Sequence, residues 1–163
     1  HIPDALFIHI VRNGEDVVAS IIDGELNNFE RRMFFGGIGY AVRQWNRALE
    51  VHHAHADKPG HLIVRYEHFV TDPLRMLRRI LRFMGLADEA FDLNPAAAPD
   101  AAELAAAPWK KHWLAEAVTL PERKFETMFS AKVQHWVREH LTDYETACDE
   151  LLRRNAPVCR TGA

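Results

Sequence analysis

Cysteine is scarce in this sequence: Cys148 and Cys159 stand alone, both close to the end of a 163-residue chain. Two such residues build neither a disulfide framework nor a paired-cysteine zinc motif, so a reducing, cytoplasmic compartment is expected. An excess of positive charge is missing too. With 20 basic residues against 23 acidic ones and a net charge of −3, the chain has no electrostatic footprint for nucleic-acid binding. No apolar run approaches the span of a membrane helix, none resembles a signal peptide, and no repeat recurs. What the chain does have is apolar material, 48% of its residues, enough for a single domain over residues 1–163 with a real core.

The most informative stretch runs from Ala5 to Ser20. Leu6 to Val11 is short, apolar and rich in β-branched and aromatic side chains, which predicts a buried strand rather than a helix. Arg12 ends the run, Asn13 and Gly14 turn the chain, and Val17, Val18, Ile21 and Ile22 recur at helical spacing. Asn13 suits a helix cap, and Glu15 and Asp16 suit the positive end of the helix dipole. The pattern is strand, tight turn, helix, with an arginine at the carboxyl end of the strand, the edge where open α/β sheets bind ligands. Arg12 presents a planar fork of donors matched to a phosphate. Ser20 lies one turn beyond Asp16, and helical side chains lean toward the amino terminus, so its hydroxyl has a path back toward the same mouth. The alternative is that Arg12 pairs with Glu15 or Asp16 and Ser20 is an ordinary helix residue.

Further along, Asp23 to Arg32 reads as a helix end and a loop. Gly36-Gly-Ile-Gly39 has neither a preceding strand nor dinucleotide spacing, so these glycines turn the chain into the next helix. That helix carries Ile38, Ala41, Val42, Trp45, Ala48, Leu49 and His52 on one face. His52, His53 and His55 close it. They lack a fourth ligand at zinc-finger spacing and read as a solvated helix end, where histidine also suits the dipole. His61 to Tyr66 is the second strand, carried on by Glu67 to Val70. Thr71-Asp72-Pro73 starts a helix from Leu74 to Met84, with Leu74, Leu77, Leu81 and Met84 on its apolar face and a stop at Gly85. Arg75, Arg78, Arg79 and Arg82 form its solvated side.

Asn94 to Pro108 reads as a loop or a short helix, and Trp109 to Trp113 as a surface helix pinned by two tryptophans. Phe125 to Val137 predicts one amphipathic helix, Tyr144 to Leu152 a last one, and the tail from Asn155 is expected to fray. Two strands joined through helices argue for a parallel pair in an α/β fold with few strands, flanking helices and a helix-rich second half. A two-stranded parallel sheet is an incomplete fold. His1-Ile2-Pro3-Asp4 also runs into a strand with nothing before it, so a fragment of a larger domain is expected.

Three segments carry a family resemblance. Pro3 to Ser20 resembles the 3′-phosphate-binding segment of sulfotransferases, which use 3′-phosphoadenosine 5′-phosphosulfate (PAPS). Val64-Arg-Tyr-Glu-His-Phe-Val-Thr-Asp-Pro73 is similar to their strand, Tyr-Glu-Asp-Leu-like turn and Asp-Pro helix start, and Ile80 to Leu86 resembles their helix ending in Phe-Leu-Gly-Leu. Lys132 to Trp136, with Leu141-Thr142 behind it, is more loosely similar to their late Gly-Asp-Trp segment.

The resemblance implies a partial P-loop-like sulfotransferase fold, this chain being its C-terminal portion. It also implies an enzyme moving a sulfuryl group from PAPS to an acceptor hydroxyl or amine of a carbohydrate, lipid, peptide or small alcohol, without a metal. Arg12 and Ser20 match the pair that holds the 3′-phosphate, and Tyr66 the tyrosine that lies against adenine. Tyr66 as a core residue, and Arg65 paired with Glu67, are the alternatives. The glycine- and Ser/Thr-rich loop for the 5′-phosphosulfate has no counterpart here. Phe129, Ser130 and Ala131 stand where relatives carry Arg-Lys-Gly. No catalytic residue matches, His9 and His68 included, so the isolated chain is expected to be inactive. Two rival readings stay open, a nucleotide-binding or kinase-like α/β protein and a helical interaction domain using the arginine face.

Overall fold

A computed structural model describes residues 4–27, 36–87 and 123–156. In chain order the elements are β1 (Phe7–Val11), α1 (Gly14–Asn27), α2 (Gly37–His55), β2 (His61–Arg65), α3 (Tyr66–Thr71), α4 (Pro73–Phe83), α5 (Lys124–Met128), α6 (Ala131–His140) and α7 (Tyr144–Asn155). The architecture is the expected partial α/β fold: a small parallel sheet with flanking helices. Two compact units divide the chain, one of His1–Tyr66 with Glu122–Ala163 and one of Glu67–Pro121. Among the described residues no helix is long and apolar enough to cross a membrane.

In the first unit β1 and β2 pair in parallel, with Phe7 opposite His61, His9 opposite Ile63 and Val11 opposite Arg65. Alternation along a strand puts Val11 and Ile63 on one face. There they join Trp45 and Leu49 of α2 and Tyr144, Ala147, Cys148 and Leu151 of α7 in one apolar cluster. A second cluster gathers Val18, Ala19 and Ile22 of α1 with Ala41 and Val42 of α2, Phe125 of α5 and Val137 of α6. Gly14, where α1 begins, lets two of these helices meet. A Cβ there would lie 2.9 Å from the Trp45 ring and 3.0 Å from the Leu141 side chain, so the requirement is for space.

Local chemistry explains most of the boundaries. Asn13 caps α1, its Oδ1 accepting from the amides of Glu15 (2.9 Å) and Asp16 (3.5 Å). Asp143 caps α7 through the Thr146 amide at 2.9 Å. In the second unit Asp72 caps α4 through the Arg75 amide at 3.1 Å. That helix ends at Gly85, whose φ of +70° lets the Gly85 and Leu86 amides bond back to the carbonyls of Arg82 and Leu81.

Several expectations are corrected. The second strand stops at Arg65 and Glu67 to Val70 are helical, because β1 ends at Val11, opposite Arg65, and offers no further ladder. β1 is not buried throughout: among its side chains only Val11 is buried, while Phe7, Ile8 and Ile10 are exposed, and Ile8 and Ile10 alternate to the face opposite Val11. The single helix expected over Phe125 to Val137 is two, broken where Phe129 and Ser130 turn extended. The Gln134 amide closes the break by donating to the carbonyls of Glu126 (3.1 Å) and Phe129 (2.8 Å). On α4 the buried residue is Met76, while Leu74 and Met84 are exposed. His52 and His55 do not simply face solvent; both rings lie against His9, at 5.1 and 6.1 Å between centroids.

The largest correction is Asn155. It does not fray but is fully buried, accepting from the Ile63 amide at 2.9 Å and donating to the carbonyls of Ala56 (2.8 Å) and His61 (3.0 Å). One side chain thus ties the end of α7 to both the entry to β2 and its middle. The segments expected over Asn94 to Pro108 and Trp109 to Trp113, the loop after Asn27 and Cys159 lie outside the described residues.

Two substitutions test this framework. Asn155→Ala leaves two buried backbone groups and one half-buried carbonyl without their partner and should cost about 3 kcal/mol, at ~1–3 kcal/mol for each buried uncompensated group. Gly14→Ala should cost ~1–3 kcal/mol through overpacking against Trp45. Thermal or urea unfolding reads both; a stability within ~0.5 kcal/mol of the parent would contradict the geometry.

Candidate functional site

The in-register pairing decides where the chemistry sits. Because Val11 faces Arg65 across the ladder, the residues that follow them, Arg12 and Tyr66, leave the sheet side by side at its carboxyl edge. The Arg12 guanidinium carbon lies 4.7 Å from the centroid of the Tyr66 ring, a cation–π contact. Two of the predicted residues are thereby brought together. Both are half-buried.

The backbone beneath Arg12 is held from two sides. The Trp45 indole N–H donates to the Arg12 carbonyl at 3.0 Å, and the Tyr144 hydroxyl donates to the Val11 carbonyl at 3.4 Å. Asn13 then caps α1, so the positive end of that helix opens beside the arginine. Trp45 and Tyr144 were legible in the sequence only as core residues, because their polar atoms bond to backbone and leave no periodic trace.

The acids offered as alternative partners for Arg12 are engaged elsewhere. Glu15 accepts from Arg138 Nε at 2.8 Å and Nη2 at 3.3 Å, and from Arg123 Nη2 at 2.7 Å. Asp16 lies 3.8 Å from Arg123 Nε. Its bond to Glu15 raises the pKa of the Arg138 guanidinium. Arg65 bonds to Glu145 Oε1 at 2.5 Å and packs over the Tyr144 ring at 4.8 Å. The Glu145 bond raises its pKa. Among the described residues no carboxylate reaches Arg12, and its Nε is buried without a hydrogen-bond partner. A buried donor in that state costs ~1–3 kcal/mol, a cost that an acceptor at the site would remove.

Two spaces lie near the Arg12 backbone, both lined in part by Trp45. A cavity of about 150 Å³ is lined by Arg12, Val17, Trp45 and His52 among others. A cleft of about 270 Å³ is bordered by Asn13, Gly14, Glu15, Arg138, Thr142 and Asp143. Ser20 is on the exposed side of α1 and no hydrogen bond links it to Arg12. The structure brings Arg12 and Tyr66 together but does not join Ser20 to them. Phe129 and Ser130 add no cation: the phenylalanine packs on Phe125 at 5.4 Å between centroids, and the serine occupies the cap position of α6. Among the described residues no group of three or more His, Cys, Asp or Glu side chains is arranged to hold a metal ion.

Such an edge suits a phosphate monoester beside an aromatic ring. No solved structure matches the chain. The model of the Sulfotransferase family matches residues 1–90, a stretch that contains β1, β2, Arg12, Ser20 and Tyr66. The chain belongs to the sulfotransferase family.

Proposed function

We propose that this chain supplies the 3′-phosphate and adenine end of a PAPS site in a sulfotransferase, as the C-terminal portion of its catalytic domain. The observation that carries the proposal is Arg12: a half-buried guanidinium at the carboxyl edge of a parallel pair, with an unpartnered Nε and no carboxylate counterion among the described residues. Bound there, PAPS supplies an activated sulfuryl group for transfer to an acceptor hydroxyl or amine.

The residues of this chain bind and orient. Arg12 offers two parallel donors to the 3′-phosphate, and the Ser20 hydroxyl, turned back along α1, offers a third. Tyr66 holds the guanidinium with one ring face, so its contact with adenine uses the opposite face or the hydroxyl. The capped start of α1 adds a favourable dipole for the dianion. Trp45 and Tyr144 keep the Val11–Arg12 backbone in place. No residue of this chain takes the role of catalytic base or of the 5′-phosphosulfate loop in this reading.

Calorimetry with 3′-phosphoadenosine 5′-phosphate tests the grip. Arg12→Ala should weaken binding ~30-fold, from about 2 kcal/mol of charge-assisted hydrogen bonding, with little change in melting temperature. Ser20→Ala should weaken it ~5-fold, for about 1 kcal/mol. Equal losses of binding and stability in Arg12→Ala would assign the arginine a structural role. For the reaction, the whole enzyme incubated with radiolabelled PAPS and mixed acceptors should transfer label; the absence of both transfer and nucleotide binding overturns the proposal.

A further inference from the structure

On the helix-covered face of the sheet, where His52 also lines the cavity that reaches Arg12, the structure assembles histidines that are far apart in sequence. His9 Nδ1 lies 3.0 Å from His52 Nδ1, and His9 Nε2 lies 2.8 Å from His61 Nδ1. β1, the last turn of α2 and the first residue of β2 each contribute one ring. His55 lies against the same group, its centroid 4.8 Å from that of His61 and 6.1 Å from that of His9.

We propose that His52, His9 and His61 form an acid-sensitive clasp that holds the carboxyl end of α2 on the two strands, stays closed with up to one extra proton and opens on the second. The reason is proton bookkeeping. Each N···N hydrogen bond needs one proton between its two nitrogens. Three neutral rings satisfy both bonds: His52 donates to His9, and His9 donates through its other nitrogen to His61, or both bonds run the other way. One added proton is accommodated, since a doubly protonated His9 donates to both neighbours and a protonated end ring donates inward. Two added protons are not. If His9 is one of the two, two N–H groups face each other. If His52 and His61 are the two, His9 would have to accept at both nitrogens, which a neutral imidazole cannot do. Any doubly charged state loses a bond and sets like charges against each other.

The surroundings do not relieve that repulsion. Among the described residues no carboxylate lies within ion-pairing distance of His9, His52 or His61. On α2, His53 is the ring that meets an acid, Glu150 of α7 at 3.9 Å, with Arg154 Nη1 3.4 Å from the same nitrogen. The Nδ1 of His55 is bonded to the Val51 carbonyl at 2.8 Å. Asp57 in the α2–β2 turn is engaged by Arg154, and nearby Lys58 adds positive charge that acts on His61.

Burial first, then neighbouring histidines, lowers the pKa of His9 and pushes His52 down to about 4. His61 is lowered by burial, His55 and Lys58. With folded values below the ordinary 6.5, the unfolded chain binds more protons. The clasp's stabilisation is therefore complete above that value and is lost as pH falls toward 4. The inference does not rest on the nucleotide reading, although His52 also lines the cavity beside Arg12.

Hydrogen exchange of the α2 amides from Leu49 to His55, corrected for intrinsic rates, tests it on the full chain. Exchange should rise about tenfold from pH 7 to pH 5, the effect of a one-unit difference in proton affinity. In His9→Phe, which keeps a ring but has no nitrogen, the rise should shrink to ~3-fold or less. An equal rise in the variant, or none in the parent chain, overturns the proposal. Should His9→Phe fail to fold, nuclear magnetic resonance titration of the parent decides. One proton taken up by the group with the next delayed below it supports the clasp; three rings following independent curves at the ordinary histidine value refute it.

Discussion

The parallel pairing of β1 with β2, ending on Val11 and Arg65, is the constraint on which the rest of this structure depends. A parallel ladder that stops on the same rung for both strands sends both chains off one edge together. β2 loses its partner there, and its continuation closes into α3 because its backbone groups need other bonds. Tyr66 is left at the edge, beneath the arginine that follows Val11. Shifting the register by one residue would turn every side chain to the opposite face, and Arg12 and Tyr66 would no longer emerge together.

Around that edge, charge is distributed so that, among the described residues, Arg12 is left without a carboxylate. The exposed ion pairs of Arg123 and Arg138 with Glu15 and Asp16 add at most ~1 kcal/mol each to stability. Their larger consequence is positional: they occupy the carboxylates nearest to Arg12 in sequence. Arg65 is likewise taken by Glu145. The half-buried guanidinium over Tyr66 keeps its capacity for an anion, and the family to which the chain belongs gives that anion a chemical identity to test.

The sheet has a second pole. His9 precedes Arg12 by three residues, about 10 Å at the usual rise of a strand. There the interactions that hold α2 to the strands run between histidine rings, whereas at the Arg12 edge they run from Trp45 and Tyr144 to backbone carbonyls. The same helix serves both ends, through Trp45 at the Arg12 carbonyl and His52 at His9.

The sequence by itself determined what is local. The strand before Arg12, the Asn13 and Asp72 caps, the glycine stop at Gly85 and the apolar face of α2 all follow from periodicity and cap chemistry acting within a few residues. So does the placement of Arg12 at a strand end, and the quoted segments were enough to point to the family. Tertiary structure decided everything that joins distant residues. The end of β2 depends on where β1 stops, and the burial of Asn155 depends on backbone groups 92 to 99 residues away. The diversion of Glu15 to Arg138 spans 123 residues, and the meeting of His9 with His52 and His61 spans 43 and 52. Hydrogen-bond partners of this kind leave no period in a sequence, because one polar atom meeting one other requires only that the fold bring them within 3 Å.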